Sequence, residues 1–214
     1  MKSRWRRWTS VTIPFKQNTA LHVMSIAFFV YFWIMAISPT KRSQWFAECV
    51  PLLAIIVVLT IMYRRYRFSN LSYLMLLVFF SLHVVAAHFT YEGTPFDHWL
   101  KHSFHTKRSY YDRVVHLFFG LLAYYPLREF LIGKMKLHVF WSYALPVVFI
   151  MGLSGLFEIL EMLAASVAGK GGEARFVGMQ GDIFDTQKDM ELALAGGIVA
   201  SLAHFLLRRN HSDP

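Results

Sequence analysis

Six apolar segments separated by polar stretches dominate the sequence. They cover about Ala20–Ile37, Phe46–Tyr63, Leu71–Phe89, Val114–Phe130, Trp141–Ala165 and Leu192–Leu207. Each is close to the roughly 20 residues that a helix needs to cross the hydrocarbon core of a bilayer. No internal repeat or low-complexity tract divides the sequence. The pattern therefore predicts an all-α, polytopic membrane protein with a single bundle of six transmembrane helices over residues 20–207.

Short polar tails flank this transmembrane domain. We interpret residues 1–19 as a cytoplasmic basic tail and residues 208–214 as a second cytoplasmic tail. The start of the chain, rich in Arg and Trp, also suits the basic region of a signal peptide. No small-residue cleavage site follows the first apolar segment, so we expect that segment to remain as an uncleaved first span.

The composition agrees with a membrane protein. Hydrophobic residues make up 56% of the chain and the mean hydropathy is +0.39, whereas soluble domains contain about 45–50% apolar residues. A formal charge of +9 would suggest nucleic-acid binding in a soluble chain. Here the basic residues lie between apolar segments, so we expect membrane lipids and no nucleic acid as partners. The single cysteine, Cys49, excludes an intrachain disulfide and suggests no Cys-based metal site.

The basic residues also predict an orientation. With the N-terminus inside, 13 of the 22 Lys and Arg residues fall on the inner side, mostly in short loops and tails. The loops Thr90–Arg113 and Ser166–Met190, on the other side, are long and polar. The positive-inside rule then predicts a multi-pass membrane protein with both termini inside, in the cytoplasm. Long loops in compact folds often carry function, so we expect functional residues on the outer side.

Three aspartates precede the last apolar segment. Asp182, Asp185 and Asp189 recur at i, i+3 and i+7 in the stretch Met179–Met190, a spacing that places them on one face of a helix. Such a row repels itself unless cations, protons or a polar pocket accompany it. Asp182 also suits the N-cap of a helix that starts there. Taken alone, the stretch is more typical of a capped, solvated helix start, because acidic first turns suit the helix dipole.

Other spans deliver polar residues to the same side of the membrane. Asp112 and His116 are i and i+4 at the outer start of the fourth span, and Glu158 and Glu161 are i and i+3 near the outer end of the fifth. Glu158 has apolar neighbours about 10 Å below the surface at 1.5 Å per residue. A bare carboxylate there would cost several kcal/mol or become protonated, so it needs a partner. We predict one shared cluster, or alternatively a pair of Glu158 with Arg113 or His116 that only holds helices together.

These residue types suit metal-assisted chemistry. Our candidates for catalysis are Glu158, Glu161, His116 and Asp182, and Arg113 is the candidate for binding a substrate phosphate bidentately. Imidazole and carboxylate oxygens are ligands of divalent metals. The candidate metal ligands are Asp112, His116, Glu158, Asp182, Asp185 and Asp189. In the loop after the third span, His98, His102 and His105 are either accessory ligands or part of an interfacial segment with aromatic anchors.

Three motifs resemble a known family. They are Tyr111-Asp-Arg-Val-Val-His116, Phe157-Glu-Ile-Leu-Glu161 and Gly178-Met-Gln-Gly-Asp-Ile-Phe-Asp-Thr-Gln-Lys-Asp-Met190. In order and spacing over residues 20–207 they resemble the bacterial inner-membrane protein YjdF family, whose function is unknown. That family usually shows Asp-Arg-x-Gly-His and Gly-Thr-Gln-Gly-Asp; Val115 and Met179 differ here, and the polar positions are intact. A more distant similarity is to VanZ-like membrane proteins. The resemblance implies an integral inner-membrane protein and no particular reaction.

Three functions fit the sequence. The first is a membrane-embedded enzyme with a periplasm-facing His/carboxylate site that hydrolyses or transfers a lipid-linked or phosphate-bearing substrate, with a divalent metal ion as the expected cofactor. The second is a cation or proton-coupled carrier that uses the same acidic cluster, and the third is a non-catalytic scaffold. A cleft that opens sideways to lipid would favour the enzyme, a path to the inner side the carrier, and fully paired charges without a cavity the scaffold.

Overall fold

A computed structural model describes residues 8–168 and 182–209. Within these ranges the chain is helical and contains no strand, which confirms the predicted all-α class. A 3-10 turn at Phe15–Gln17 precedes the first long helix. The α-helices are α1 (Thr19–Met35), α2 (Arg42–Met62), α3 (Asn70–Phe89), α4 (Pro95–Phe104), α5 (Tyr111–Gly133), α6 (Val139–Ala168) and α7 (Asp185–Arg209).

Five of these helices, α2, α3, α5, α6 and α7, are long and apolar enough to cross a membrane. The first, α1, is apolar but has only 17 residues, fewer than the roughly 20 that a span needs. It ends early because Ser38 has a positive φ of 51° and Pro39 disfavours a helical conformation at the residue before it. Five of the six predicted spans therefore correspond to helices that are long and apolar enough to cross a membrane, and the count of six stays a prediction.

Large apolar side chains cover the outside of the bundle. In water such a continuous apolar surface would promote aggregation, whereas in a bilayer it faces hydrocarbon of the same polarity. The exposed side chains include Val23, Ile26, Trp33, Val50, Val57, Ile61, Val148, Leu156, Val199 and Leu202.

The helix α5 occupies the centre of the bundle. It packs against α3, α6 and α7, while α1 and α2 pack against α3. One buried core forms around Trp45 and Phe80, and a second around Tyr124 and Ile150. We call the end of the bundle that carries Asp112 the site end.

Two glycines let α5 and α7 approach closely. A Cβ atom on Gly120 would lie 2.1 Å from the carbonyl oxygen of Ala193, and one on Gly196 would lie 2.3 Å from the carbonyl oxygen of Leu117. Only glycine permits backbones this close, and close backbone packing holds helices together where lipid replaces water. Gly120 is one turn from His116, so this contact also sets the position of the polar residues of α5 relative to α7.

The short helix α4 fastens the loop between α3 and α5. The Thr94 hydroxyl accepts a hydrogen bond from the amide of Asp97, which starts the helix. The buried carboxylate of Asp97 accepts hydrogen bonds from the amides of Tyr110 (2.6 Å) and Tyr111 (3.2 Å), and so caps the start of α5. The side chains of Trp99 and Phe104 are exposed, as an interfacial segment requires.

The loop histidines follow the interfacial interpretation. His98, His102 and His105 are all exposed. The candidate metal ligands that they were predicted to assist are instead buried or half-buried. The exposed position of the three histidines therefore does not support a role as accessory ligands.

Candidate functional site

The helix α7 begins at Asp185, two residues later than the start at Ile183 that a cap at Asp182 predicts. Asp182 instead organises the turn before the helix. Its Oδ1 accepts a hydrogen bond from the Phe184 amide (3.2 Å), and its carbonyl oxygen accepts one from the Asp185 amide (3.3 Å). Asp185 and Asp189 share a helix face as predicted, whereas Asp182 lies before the helix. The start of the motif, residues 179–181, lies outside the described residues.

Three cations neutralise the first two aspartates of this row. Arg108 binds Asp182 (2.9 Å) and Asp185 through its two terminal nitrogens. Arg113 Nη2 lies 2.9 Å from Asp182 Oδ2 and 3.0 Å from Asp185 Oδ1, and Lys188 Nζ lies 2.7 Å from Asp182 Oδ2. The hydrogen bond from Lys188 is the main reason that the pKa of Asp182 lies well below its usual range. We call these five residues the rim cluster; it supplies the cations that the aspartate row was predicted to need.

Arg113 connects the rim cluster to deeper residues. Its guanidinium lies over the Tyr110 ring, 5.4 Å from the centroid, and its Nε lies 4.0 Å from Asp189 Oδ1. Because Nη2 is already shared by two carboxylates, a substrate phosphate would have to compete with Asp182 and Asp185. The predicted role of Arg113 in substrate binding stays a prediction.

His116 lies at the centre of a deeper group, formed by α5 and α6. Its Nε2 is 3.2 Å from Glu158 Oε1 and 3.7 Å from Asp112 Oδ1, and its Nδ1 is 3.1 Å from Ser154 Oγ. Asp112 and His116 are one turn apart on α5, and Ser154 and Glu158 are one turn apart on α6, so two helix faces meet here. We call these four residues the deep cluster. The predicted proximity of Asp112, His116 and Glu158 is present in the structure.

The two carboxylates determine which nitrogen of His116 carries the proton. Asp112 and Glu158 both lie at Nε2, and their charge favours a proton there. Nδ1 is then left as an acceptor for the Ser154 hydroxyl. The Nε2 contact with Glu158 is electrostatic, since Glu158 Oε1 accepts no well-aligned hydrogen bond from the described residues. Such contacts in ligand-free sites are often long and tighten when a substrate binds.

More carboxylates surround the deep cluster than cations do. Glu48, Glu161 and Asp189 are buried and interact electrostatically with Asp112. Buried oxygens of Asp112, Glu158 and Asp189 accept no hydrogen bond from the part of the chain that the structure describes. The site thus has unused capacity for a cation or for hydrogen-bond donors.

Glu48 was missed in the sequence. It lies near the start of the second apolar segment, and a single carboxylate inside such a run is a usable signal for a functional residue. The rim residue Arg108 was missed as well, but nothing in the sequence separates it from the other basic residues of its loop.

The carboxylates do not converge on one ion position. Within residues 8–168 and 182–209, no three His, Cys, Asp or Glu side chains are arranged to hold a metal ion together. Asp182 and Asp185 already bind Arg108 and Arg113. Five of the six predicted ligands therefore lie in the two clusters, and the sixth, Asp189, lies 4.0 Å from Arg113 of the rim cluster. Metal binding stays a prediction that would need side chains to reorient.

A hydrogen-bonded pair extends the polar region to α2 and α3. The Tyr91 hydroxyl lies 2.9 Å from His83 Nδ1, and His83 Nε2 lies 2.9 Å from the carbonyl oxygen of Glu48. Burial, together with the nearby Glu48 and Asp112 carboxylates, raises the pKa of Tyr91 well above its usual value. Tyr91 therefore stays protonated and donates to Nδ1, so that His83 donates from Nε2 to Glu48.

An apolar cleft of about 330 Å³ lies beside the deep cluster, between α2, α3, α5 and α6. Its polar lining comes from His83, His116 and Ser154. The exposed side chains of Ile55, Leu156 and Leu160 lie at its edge. The cleft therefore opens sideways, on the surface that faces lipid. Its remaining lining residues are Pro51, Leu52, Ala54, Phe79, Phe80, Val115, Phe119, Leu153 and Phe157.

A packed layer separates this site from the opposite end of the bundle. Tyr124, Ile150 and Ala193 are almost completely buried and form one cluster with Ala123. The layer lies directly beyond Gly120, where α5 and α7 are in backbone contact. Polar groups of the deep cluster therefore meet tightly packed apolar side chains on their inner side.

Comparisons with known proteins agree with this architecture. Residues 20–210 match the family described as Predicted membrane protein (DUF2238). The chain belongs to the DUF2238 family. It is also 30% identical over 176 residues to Inner membrane protein YjdF of Escherichia coli (strain K12), covering 81% of this chain and 84% of that protein. No solved structure matches the chain.

The family match confirms the resemblance to YjdF and the membrane character of the chain. Both the rim cluster and the deep cluster lie within the matched range. The DUF2238 description names a membrane protein and no reaction.

Proposed function

We propose that this protein is a membrane-embedded enzyme that acts on an amphipathic, lipid-type substrate at the deep cluster. The observation that carries the proposal is the junction between the apolar cleft and His116. A cleft of about 330 Å³ is at the lower end of the usual size for small-molecule sites. Its walls suit a hydrocarbon chain, and the chain's polar end would lie against a buried imidazole with two carboxylates behind it.

His116 has the properties of a general base in this proposal. His116 lines the cleft and its Nδ1 lies 3.1 Å from the hydroxyl of Ser154, another lining residue. Asp112 and Glu158 at Nε2 stabilise the imidazolium that forms when Nδ1 takes a proton. A hydrolysis or transfer reaction at an ester or phosphoester would use such a base. Glu161 adds negative charge behind the base, and Asp182 holds the start of α7 in place.

A divalent cation would suit the surplus of carboxylates. The two clusters and their surroundings contain seven carboxylates, against three cations in the rim cluster. Unsatisfied buried oxygens on Asp112, Glu158 and Asp189 support this part of the proposal. A bound metal would supply Lewis-acid polarisation of a carbonyl or phosphoryl oxygen. Metal analysis of the purified protein, with Glu158→Gln as the control, tests it: equal metal content in both proteins would count against these ligands.

The proposed orientation places the site on the periplasmic side, with six spans and both termini in the cytoplasm. Its support is the distribution of Lys and Arg, with short basic loops on one side. In that orientation the cleft opens toward the periplasmic leaflet, from which the substrate would enter.

The carrier and scaffold alternatives have less support. A carrier needs a path to the opposite side, and the packed layer of Tyr124, Ile150 and Ala193 lies across it. A scaffold needs charges that satisfy each other, whereas the deep cluster leaves buried carboxylate oxygens without hydrogen bonds from the described residues.

Lipid turnover in nanodiscs tests the proposal. The purified protein is reconstituted with a bacterial total lipid extract, and the lipids are followed by mass spectrometry. We expect at least one lipid class to be converted, and His116→Ala to lower the rate by about 10²–10⁴-fold, the usual contribution of a general base. His204→Ala, a histidine at the opposite end of α7, is the control and should retain the rate. Conversion that His116→Ala leaves undiminished would contradict the assignment of the site.

A further inference from the structure

The geometry points to Ser154 as the nucleophile of this site, and we propose that the protein cleaves acyl esters of lipids through a covalent acyl-Ser154 intermediate. This inference rests on the proposed function and specifies its reaction and substrate class. Nothing in the sequence distinguishes Ser154, because a serine in an apolar helix is a common packing residue.

Ser154, His116 and Glu158 lie in the order that an activated serine requires. Ser154 Oγ is 3.1 Å from His116 Nδ1, and His116 Nε2 is 3.2 Å from Glu158 Oε1. Their exposed fractions are 1%, 4% and 7%, so water does not compete for these contacts. A nucleophile, a base in contact with it and an acid that orients the base are the features by which such sites are recognised, independent of fold.

The hydroxyl of Ser154 differs from those of Ser81 and Ser166, which also lie inside helices. A serine inside a helix commonly donates to a carbonyl oxygen one turn earlier. Ser81 donates to Leu77 (2.8 Å) and Ser166 to Met162 (2.9 Å) in this way. The partner of Ser154 is instead His116, on another helix. Its proton is therefore directed at a base rather than at its own backbone.

The cleft presents the nucleophile and the base but not the acid. Ser154 and His116 are among its lining residues, while Glu158 lies behind His116. The rest of the lining is almost entirely apolar. A substrate that fills this cleft carries a hydrocarbon chain, and the ester carbonyl of an acyl lipid would supply the polar group that matches Ser154 and His116 in the lining. The fitting substrate class is therefore an acyl ester of a lipid.

The reaction proceeds in two balanced steps. Ser154 Oγ attacks the ester carbonyl carbon and its proton passes to His116 Nδ1; the bond from the carbonyl carbon to the alcohol oxygen then breaks, and His116 returns the proton to the leaving alcohol. In the second step a water or a second alcohol attacks the acyl-Ser154 carbon and gives its proton to His116. The bond to Ser154 Oγ breaks and the proton returns to it.

A fluorophosphonate with an alkyl chain tests this assignment in the full-length protein in nanodiscs. We expect covalent modification located at Ser154 by tandem mass spectrometry, at least tenfold slower modification in His116→Ala, and none at that peptide in Ser154→Ala. The matched control is Ser201→Ala, which removes a serine hydroxyl that also hydrogen-bonds to a neighbouring helix but lies away from the cleft. It should leave the modification of Ser154 unchanged.

A second variant, Ser154→Cys, tests the proposal even if Ser154→Ala does not fold. Ser154→Cys retains a nucleophile at the same position, so we expect it to lose fluorophosphonate labelling and to react with iodoacetamide at residue 154. Cys49, which is buried, is distinguished by the mass of its peptide. Failure of residue 154 to react in both tests, in a folded protein, would overturn the proposal.

Lipid turnover and fluorophosphonate labelling together distinguish failure of the Ser154 assignment from failure of the proposed function. If lipids are converted but Ser154 is not modified and Ser154→Ala retains turnover, the nucleophile is refuted while the enzyme remains. If neither conversion nor modification occurs, both fail.

Discussion

Replacing Gly120 by alanine tests whether the contact between α5 and α7 holds the site together. A Cβ atom at position 120 would lie 2.1 Å from the Ala193 carbonyl oxygen and 2.8 Å from the Gly197 amide nitrogen. Both are backbone atoms of α7, so no side-chain rotation relieves the overlap. To reach even 3.0 Å from the Ala193 oxygen, the two helices must separate by about 0.9 Å.

A matched variant isolates the cost of this separation. Gly152 also lies inside a helix, but a Cβ atom there meets no described atom within 4 Å. Both alanines gain the same intrinsic helix propensity, about 1 kcal/mol at most, so this contribution cancels in the comparison. Overpacking typically costs about 1–3 kcal/mol. At about 2–4 °C per kcal/mol for a chain of this size, we expect the midpoint of thermal unfolding to be roughly 2–12 °C lower for Gly120→Ala than for Gly152→Ala.

Thermal unfolding in detergent, followed by tryptophan fluorescence, measures this difference. Labelling by the fluorophosphonate provides a second readout, because Gly120 is one turn from His116 and any shift of α5 moves the imidazole relative to Glu158. We expect Gly120→Ala to be labelled more slowly than Gly152→Ala at a temperature where both are folded. Equal midpoints for the two variants would show that the backbones are not in contact at Gly120, and the reasoning about the position of α7 would fail.

Three further predictions concern the rim cluster and the orientation. Arg108→Met and Arg113→Met should each be tolerated better than the double variant, since each single variant leaves Asp185 one arginine partner. We expect the double variant to lose more free energy of unfolding than the two single variants together, by about 0.5–3 kcal/mol. Because the pKa of Asp182 is lowered in the folded state, the ionised carboxylate stabilises the folded protein. This stabilisation is complete above about pH 4 and is lost as the pH falls through the folded-state pKa. Wild type should therefore unfold at a higher temperature than Asp182→Asn at pH 7, and the gap should narrow in acid; a constant gap would argue against the ion pairs. Alkaline phosphatase fused at Gly171, outside the described residues, should be active, and a cytoplasmic signal would reverse the orientation.

The sequence predicts the helices, and the positions of polar residues along each helix, better than it predicts which helices contact one another. Residue spacing was sufficient to place Asp112 with His116 on one helix face, because an α-helix has a fixed repeat. The apolar surroundings of Glu158 correctly required a partner, and His116 is that partner. Both inferences depend on properties of a single helix or on the cost of an isolated buried charge.

The missed features depend on contacts between distant segments. Ser154 acquires its role only because α6 faces His116, and Arg108 because its loop reaches the start of α7. The start of α7 was placed too early, since Asp182 is held by side chains of other segments as well as by its own turn. A sequence without its folded pairing contains no direct signal for these contacts.

The sideways opening of the cleft changes what concentration means for this protein. A ligand that enters between Ile55, Leu156 and Leu160 comes from the bilayer, so occupancy follows its mole fraction among the surrounding lipids rather than its amount per volume of water. Bulk lipid and detergent then compete with the ligand for the same opening. Saturation curves measured at different total lipid concentrations should superimpose only when the rate is plotted against the mole fraction of ligand in the bilayer. Diluting the ligand with inert lipid should slow the reaction, while adding buffer should not.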